Sequence, residues 1–303
     1  MTNSIDSLSL ALSRSGIPFC TNEPMSRHTT FLIGGNAAVF LRPASTGQIV
    51  TAQQLCRDHN VRLFALGRGS NLLVGDVGLP FAVLSLCDSY SGITALDATT
   101  VEVLSGTKLA TLCAWAADHS LTGLEFAYGI PGSVGGAVSM NAGAYGGELQ
   151  SVVRAVTFLE PDGHQVTLEH DQLDFCYRHS CFSGTHRIIL SAQLALLPGV
   201  TEAIRTAMED YLSRRREKQP LEFGSAGSTF KRPQGAFAGA LIEQCGLKGY
   251  TVGGAQVSEK HAGFVINRNR ATAAQVLAVM AHVQQTVEAQ TGYRLEPELL
   301  IIP

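Results

Sequence analysis

The chain has 303 residues and a mass of 32.2 kDa, about twice the length of a typical domain, which predicts two packed units. Hydrophobic residues make up 45% and charged residues 16%, and no apolar run approaches the roughly 20 residues that span a bilayer. The formal charge of −3 excludes the overall basic field of a general nucleic-acid-binding protein. No export pattern marks residues 1–15, so we expect a cytoplasmic protein without membrane or nucleic-acid partners.

The cysteines are scattered along the chain and include no CxxC pair. Their odd number argues against a disulfide framework, so we expect reduced thiols. They are Cys20, Cys56, Cys87, Cys113, Cys176, Cys181 and Cys245.

Hydrophobic periodicity in the first two thirds of the chain predicts alternating helices and strands. The predicted helices begin near residue 47 and cover 107–119, and the predicted strands cover 61–66, 72–74 and 101–105. Pro161, Asp162 and Gly163 supply turn residues between apolar segments 152–159 and 165–168, which predicts a hairpin.

The pattern changes at Pro198 and Gly199, where we place a domain boundary. The segments after it are predicted as helices at 202–218, at 236–245 and following Thr272 as N-cap, and as strands at 263–267 and 299–302. The expected domains are therefore 1–199, with two subdomains divided near residue 90, and 200–303. We expect the last strand to return to the first domain.

One candidate binding loop lies between two apolar strands, at residues 66–74. Glycines let the backbone approach a pyrophosphate, and the side chains of Ser70 and Asn71 can donate hydrogen bonds to its oxygens. An ordinary turn explains this segment equally well.

A second, longer loop region is rich in glycine, from Gly123 to Gly147. It has neither the Gly-Lys-Ser/Thr ending of a Walker A loop nor the GxGxxG spacing of a Rossmann site. A long, flat ligand against bare backbone explains this glycine density better than several independent turns.

The segments LGRGSNLLV and GLEFAYGIPGSVGGAVSMNAGAYG resemble the flavin-binding half of the MurB reductase family. Further segments occur in the order found in that family, namely RHTTF at 27–31, YRHS at 177–180, GSTFK at 227–231 and LEPE at 295–298. Each motif is moderately specific, and their joint order is highly specific. The resemblance covers residues 24–303.

The resemblance implies an α+β fold with an FAD-binding domain of the vanillyl-alcohol-oxidase (PCMH) type and a C-terminal substrate-binding lobe. It also implies non-covalent FAD, NADPH as hydride donor, and reduction of an enolpyruvyl nucleotide sugar in peptidoglycan precursor synthesis. The expected FAD-binding residues are Gly67, Arg68, Gly69, Ser70, Asn71, Leu72, Tyr128, Gly129, Ile130, Pro131, Gly132, Ser133, Gly135, Gly136, Asn141, Ala142, Gly143, Tyr145 and Gly146.

Three residues match the catalytic positions of the family. Arg178 suits a carboxylate clamp, because a guanidinium bonds two oxygens and keeps its charge; without the resemblance, a surface ion pair is the better interpretation. Ser228 matches the proton donor, and no His or Asp follows at the spacing of a hydrolase nucleophile. Glu298 matches the catalytic glutamate. Glu296 lies two residues away on the same face of an extended backbone, so the two carboxylates can share one cleft.

The resemblance further implies that Tyr177, Lys218 and Arg232 contact substrate, although Lys218 also reads as a solvated helix end. The family more often has Asn at the position of Arg232. The short connection between Ser228 and Ala236 resembles the second type within the family, which lacks the tyrosine lid of the first.

The residues are also compatible with two other functions. One is a flavin oxidase with the same domain type, and the other is a nucleotide-sugar or dinucleotide-binding module without catalysis. A metal site near His179, Cys176 and Cys181 is not expected, because further ligands at usable spacing are missing. We expect a monomer whose partners are small-molecule substrates.

Overall fold

The computed structural model describes residues 2–87 and 89–303, and side chains from residue 4 onward within those ranges. Its helices are α1 Thr2–Ser15, α2 Thr46–Asp58, α3 Leu109–Asp118, α4 Val134–Ser139, α5 Thr201–Lys218, α6 Ala238–Gln244 and α7 Ala273–Thr291. The strands before residue 130 are β1 Phe19–Pro24, β2 Asn36–Leu41, β3 Leu63–Leu66, β4 Leu72–Val74, β5 Leu79–Ser85, β6 Ile93–Ala95, β7 Thr100–Leu104 and β8 Leu121–Thr122. The later strands are β9 Gly143–Ala144, β10 Gly147–Glu148, β11 Val153–Leu159, β12 Gln165–Glu169, β13 Ile188–Ala195, β14 Leu197–Pro198, β15 Thr251–Val252, β16 Ala255–Val257, β17 Val265–Asn267 and β18 Leu300–Ile302.

The chain divides into two compact units that are not continuous in sequence. Unit 1 comprises residues 1–22, 38–68 and 81–214, and unit 2 comprises residues 23–37, 69–80 and 215–303. These units differ from the single boundary expected near residue 199, because α5 belongs to unit 1 as far as Arg214 and two earlier segments belong to unit 2.

Unit 1 has two hydrophobic cores. The first lies between α1, α2 and most of a sheet with strand order β1-β2-β5-β3, in which β3 and β5 run parallel. The second lies against an antiparallel sheet with order β12-β11-β13-β7-β6 and is covered by α3 and α4. Leu112 and Phe158 are completely buried in it. The predicted hairpin is confirmed as β11 and β12, whose register pairs Leu159 with Gln165.

Unit 2 is built around one core between α6, α7 and the antiparallel sheet β15-β16-β17. The predicted N-cap of α7 is confirmed: the Thr272 hydroxyl accepts a hydrogen bond from Gln275 N, and the Gln275 side chain reciprocates in a capping box. The C-terminal strand β18 pairs in parallel with β4, with Leu300 opposite Leu72. This pairing brings the end of the chain to the loop that precedes β4.

None of the helices within the described residues is long and apolar enough to cross a membrane.

Candidate functional site

In unit 1, two glycines lie beside a buried hydroxyl that has no partner among the described residues. Ser133 is the N-cap of α4, yet its side chain makes no capping hydrogen bond. It is 1% exposed, and its Oγ has no hydrogen-bond partner among the described residues. A Cβ at Gly67 would lie 2.4 Å from this Oγ, and one at Gly136 would lie 3.6 Å from it. A buried hydroxyl without a partner is costly, so the Ser133 hydroxyl is suited to bond a ligand oxygen such as that of the expected FAD pyrophosphate.

Several neighbouring glycines are needed for packing within the protein. A Cβ at Gly135 would lie 2.8 Å from Ser105 Cβ, one at Gly143 would lie 2.6 Å from Gly147 O, and one at Gly147 would lie 2.5 Å from the Phe126 ring. By contrast, a Cβ at Gly146 would meet nothing within 4 Å. The glycine density that we interpreted as a ligand surface therefore has a second cause, the close approach of chain segments.

The other expected FAD residues of unit 1 occupy different surroundings. Tyr128 and Ile130 pack against the hydrophobic core, Ala142 is buried, and Pro131 is exposed. The Tyr145 ring is stacked on Tyr211 of α5, with a centroid separation of 4.7 Å. Gly129 and Gly132 lie in the loop before α4, and Arg68 is exposed at the end of the second segment of unit 1.

A tight turn at residues 176–179 presents Tyr177 and Arg178. Cys176 and His179 exchange both backbone hydrogen bonds, at 3.2 and 3.1 Å. Arg178 has φ 57°, the left-handed conformation typical of glycine or asparagine at the third position of such turns. Its Nη2 donates to Gly143 O at 3.2 Å, and its guanidinium lies 5.1 Å from the Tyr177 ring centroid. A non-glycine residue in this conformation is strained and frequently marks a functional position.

Asn141 fastens this turn to the glycine-rich segment. The side chain is fully buried, and its Nδ2 donates to Cys176 O and to Glu148 Oε2, each at 3.1 Å. Its Oδ1 accepts from Gln150 N at 2.9 Å. Asn141 is among the residues that we expected to bind FAD, and its side-chain amide is bonded to protein groups. Ser180 adds a further link that the sequence did not indicate, since its Oγ donates to Ser139 O at 2.6 Å.

In unit 2, Gly69 occupies a position that excludes any side chain. Its φ is 62°, and a Cβ there would lie 2.0 Å from His28 O. Thr30 N donates to Gly69 O at 3.1 Å. The motif at 27–31 therefore supports the loop that ends in Ser70 and Asn71, and buried Leu72 begins β4 directly after it.

Also in unit 2, Thr229 joins the Ser228 loop to the Glu298 segment. Its backbone N donates to Gly263 O, its carbonyl accepts from Glu298 N, and its hydroxyl accepts from Val265 N, all at 2.9 Å. It is 1% exposed. Thr229 therefore fixes the main chains of two expected catalytic residues, a role that nothing in the sequence but its place beside Ser228 could have indicated.

The side chains of Ser228 and Glu298 are both half-buried. The Ser228 hydroxyl forms no hydrogen bond with the described residues. The preceding residue is Gly227, and a Cβ built there would meet no atom within 4 Å. Glu296, two residues before Glu298, is paired with Lys231 at 3.4 Å and is largely exposed. The Ser228 hydroxyl is thus available to a ligand.

Two expected substrate contacts lie at the surface of unit 2. Lys218 is exposed in the basic last turn of α5, which suits the negative end of the helix dipole. The Arg232 guanidinium lies 4.0 Å from the ring centroid of Phe237, which is 60% exposed. Among the described residues, no group of three or more His, Cys, Asp or Glu side chains is arranged to hold a metal ion.

Comparison with known proteins gives consistent matches along the chain. An FAD binding domain family matches residues 37–169, and the C-terminal domain family of UDP-N-acetylenolpyruvoylglucosamine reductase matches residues 219–302. The reductase of Agathobacter rectalis is 46% identical over 292 residues, covering 93% of each chain. That of Limosilactobacillus fermentum is 46% identical over 281 residues, again covering 93% of each. The crystal structure of the Thermus caldophilus reductase superimposes with a TM-score of 0.79 at 32% identity, covering 95% of this chain and 99% of the other.

Proposed function

Because the chain belongs to the UDP-N-acetylenolpyruvoylglucosamine reductase family, we propose that it reduces UDP-N-acetylenolpyruvoylglucosamine to UDP-N-acetylmuramate with NADPH and FAD. This reaction supplies a peptidoglycan precursor. The observation that carries the proposal is the Thr229 junction, which holds the Ser228 loop against the Glu298 segment. Bound FAD would supply the hydride transfer between NADPH and the enolpyruvyl group.

Arg178 is proposed to bind the enolpyruvyl carboxylate. Its guanidinium can form two parallel hydrogen bonds to a carboxylate and stays charged throughout. The bond to Gly143 O and the Asn141 bond to Cys176 O hold its turn in place. Such preorganisation lets the positive charge stabilise the electron density that develops beside the carboxylate as the double bond is reduced.

Ser228 is proposed to donate the proton that completes the lactyl ether. Its hydroxyl has no competing partner among the described residues, so it can turn toward the substrate carbon. Glu298 is proposed to stabilise the reacting group from the segment that Thr229 fixes. A preorganised electrostatic stabiliser is typically worth about 3 kcal/mol in barrier height.

The binding contacts are assigned in the same proposal. The Ser133 hydroxyl, which has no partner among the described residues, would donate a hydrogen bond to the pyrophosphate of non-covalently held FAD. The nucleotide sugar would be contacted by Lys218 and Arg232 through charge and by Tyr177 through its half-exposed ring. A cytoplasmic monomer acting on small molecules is the state that we propose for the working enzyme.

The proposal is tested with purified protein, NADPH and UDP-N-acetylenolpyruvoylglucosamine. We expect a flavin absorption spectrum, release of FAD on acid treatment, and one NADPH oxidised for each product molecule, whose mass exceeds the substrate by two hydrogens. Dioxygen consumption that does not need NADPH would identify a flavin oxidase instead, and a protein that binds ligand without oxidising NADPH would be a binding module. Equal catalytic efficiency with NADH would contradict the NADPH preference.

A further inference from the structure

Asn71 makes two hydrogen bonds to the segment that carries Glu298, one through its side chain and one through its main chain. Its side-chain Nδ2 donates to Glu298 O at 3.2 Å, and its backbone carbonyl accepts from Leu300 N at 2.9 Å. The pairing of β4 with β18 continues from this point, starting with Leu72 opposite Leu300. The loop before β4 and the Glu298 segment are therefore one hydrogen-bonded assembly within unit 2.

The main chain at Glu298 is held from two directions. Thr229 O accepts from Glu298 N at 2.9 Å, and the Asn71 side chain donates to the Glu298 carbonyl. The Thr229 bond survives any side-chain substitution, because it uses only backbone atoms. The bond from Asn71 is the one of the two that depends on a side chain, and only a residue with a donor of this length can make it.

The loop that contains Asn71 is itself built with little freedom. Gly69 lies in the left-handed region at φ 62°, with His28 O where a Cβ would be, and its carbonyl accepts from Thr30 N. The Asn71 amide is consequently presented from a fixed backbone. A donor on a fixed support defines the position of its acceptor more closely than one on a mobile loop does.

We infer that Asn71 is a positioning residue for Glu298. This inference rests on the proposed function, in which the Glu298 carboxylate stabilises the reacting enolpyruvyl group. The same loop is expected to bind FAD, so one short segment would set the place of both the cofactor and the carboxylate. Because a displacement of about 1 Å at a reacting group can cost on the order of 100-fold in rate, the loss of this single bond should be measurable.

The test compares the two half-reactions of Asn71→Ala by stopped-flow absorbance. Asn71 is also an expected FAD-binding residue, so the variant is first reconstituted with FAD. Reduction of its flavin by NADPH should then be slowed less than reoxidation, because reduction does not use Glu298. Reoxidation by UDP-N-acetylenolpyruvoylglucosamine should slow by about 10- to 100-fold. Any flavin lost on purification should be restored by this reconstitution.

Asn267→Ala is the matched control for a purely structural effect. The Asn267 Nδ2 also donates to a distant carbonyl in unit 2, that of Phe31 at 3.0 Å. We expect this variant to lower the melting temperature without separating the two half-reactions. If the control slows reoxidation selectively by the same factor, the Asn71 effect is a general loss of stability and the inference fails.

A double-mutant cycle with Glu298→Gln decides whether Asn71 acts through Glu298. If it does, Asn71→Ala should slow reoxidation no further in the Glu298→Gln background. Multiplicative effects, flavin that reconstitution does not restore, or equal slowing of both half-reactions would each overturn the inference. If Glu298→Gln alone reoxidises at the wild-type rate, it is the proposed role of Glu298 that fails.

Asn71→Ser serves where Asn71→Ala does not fold, because it keeps a polar side chain too short to reach the Glu298 carbonyl. It should show the same selective slowing of reoxidation. Failure of both variants to fold with bound flavin would make Asn71 a structural residue and would also overturn the inference.

Discussion

Ser228 and Thr229 are adjacent, but the structure predicts opposite consequences for their substitution. The Ser228 hydroxyl is half-buried and unbonded among the described residues, so Ser228→Ala should change the free energy of unfolding by no more than about 0.5 kcal/mol. The Thr229 hydroxyl is buried and accepts from Val265 N at 2.9 Å. Thr229→Val keeps the shape but leaves that N–H unpaired in the interior, which should cost about 1–3 kcal/mol.

For catalysis the order should be reversed, with the larger loss of rate in Ser228→Ala and the smaller one in Thr229→Val. A positioned general acid typically contributes a factor of 10² to 10⁴, so Ser228→Ala should slow reoxidation of reduced flavin by the enolpyruvyl substrate by about that factor. Flavin reduction by NADPH involves no proton from Ser228 and should stay fast. Thr229→Val retains the backbone bond to Glu298, so its folded fraction should reoxidise within roughly tenfold of the wild-type rate, since it keeps the general acid.

Stopped-flow absorbance and urea denaturation of the two variants separate these effects. Each variant is the control for the other, because the substitutions are one residue apart and similar in size. Unchanged reoxidation in Ser228→Ala would remove Ser228 from the chemistry, and slowed flavin reduction in it would mean that the loop shapes the nicotinamide site. A Thr229→Val protein as stable as the wild type would refute the proposed role of Thr229 as a buried junction.

Three further predictions concern the flavin loop, the thiols and pH. Gly69→Ala should lose flavin and stability, measured by absorption and urea denaturation, because its φ of 62° alone costs roughly 1–2 kcal/mol for a non-glycine residue and its Cβ would meet a carbonyl. Burial raises the pKa of Cys56 and Cys113 to about 12. At pH 8 a thiol reagent should therefore modify exposed Cys176 first and the two buried thiols only on unfolding, and peptide mass mapping checks this order. Burial lowers the pKa of His261 below its ordinary 6.5; the unfolded chain therefore binds more protons, and stability should fall as pH drops below 6.5, less so in His261→Asn, as thermal melts at several pH values would show.

The sequence predicted those elements whose ends are marked by capping or turn residues. The α7 helix starts at the predicted Thr272, because a threonine hydroxyl and Gln275 form a capping box. The strands β1, β2 and β5 were not predicted, since their residues do not alternate regularly between buried and exposed positions. The division into units could not be predicted from the order of elements along the chain, because each unit combines separate segments. Segment 23–37 belongs to unit 2 through contacts such as that of Thr30 Oγ1 with Ser225 O, which joins residues 195 positions apart.

The site shows a sharper limit to sequence reasoning. A glycine indicates that space is needed at a position, but its identity does not say whether protein or ligand fills that space. Gly143 and Gly147 face other parts of the chain, and so does Gly67, whose Cβ position is taken by the Ser133 hydroxyl. Asn141 presents the same ambiguity, and its amide proves to be bonded within the protein. Glycine density alone therefore does not separate ligand contacts from internal packing, and a buried polar atom that lacks a partner among the described residues, such as Ser133 Oγ, is the more specific signal.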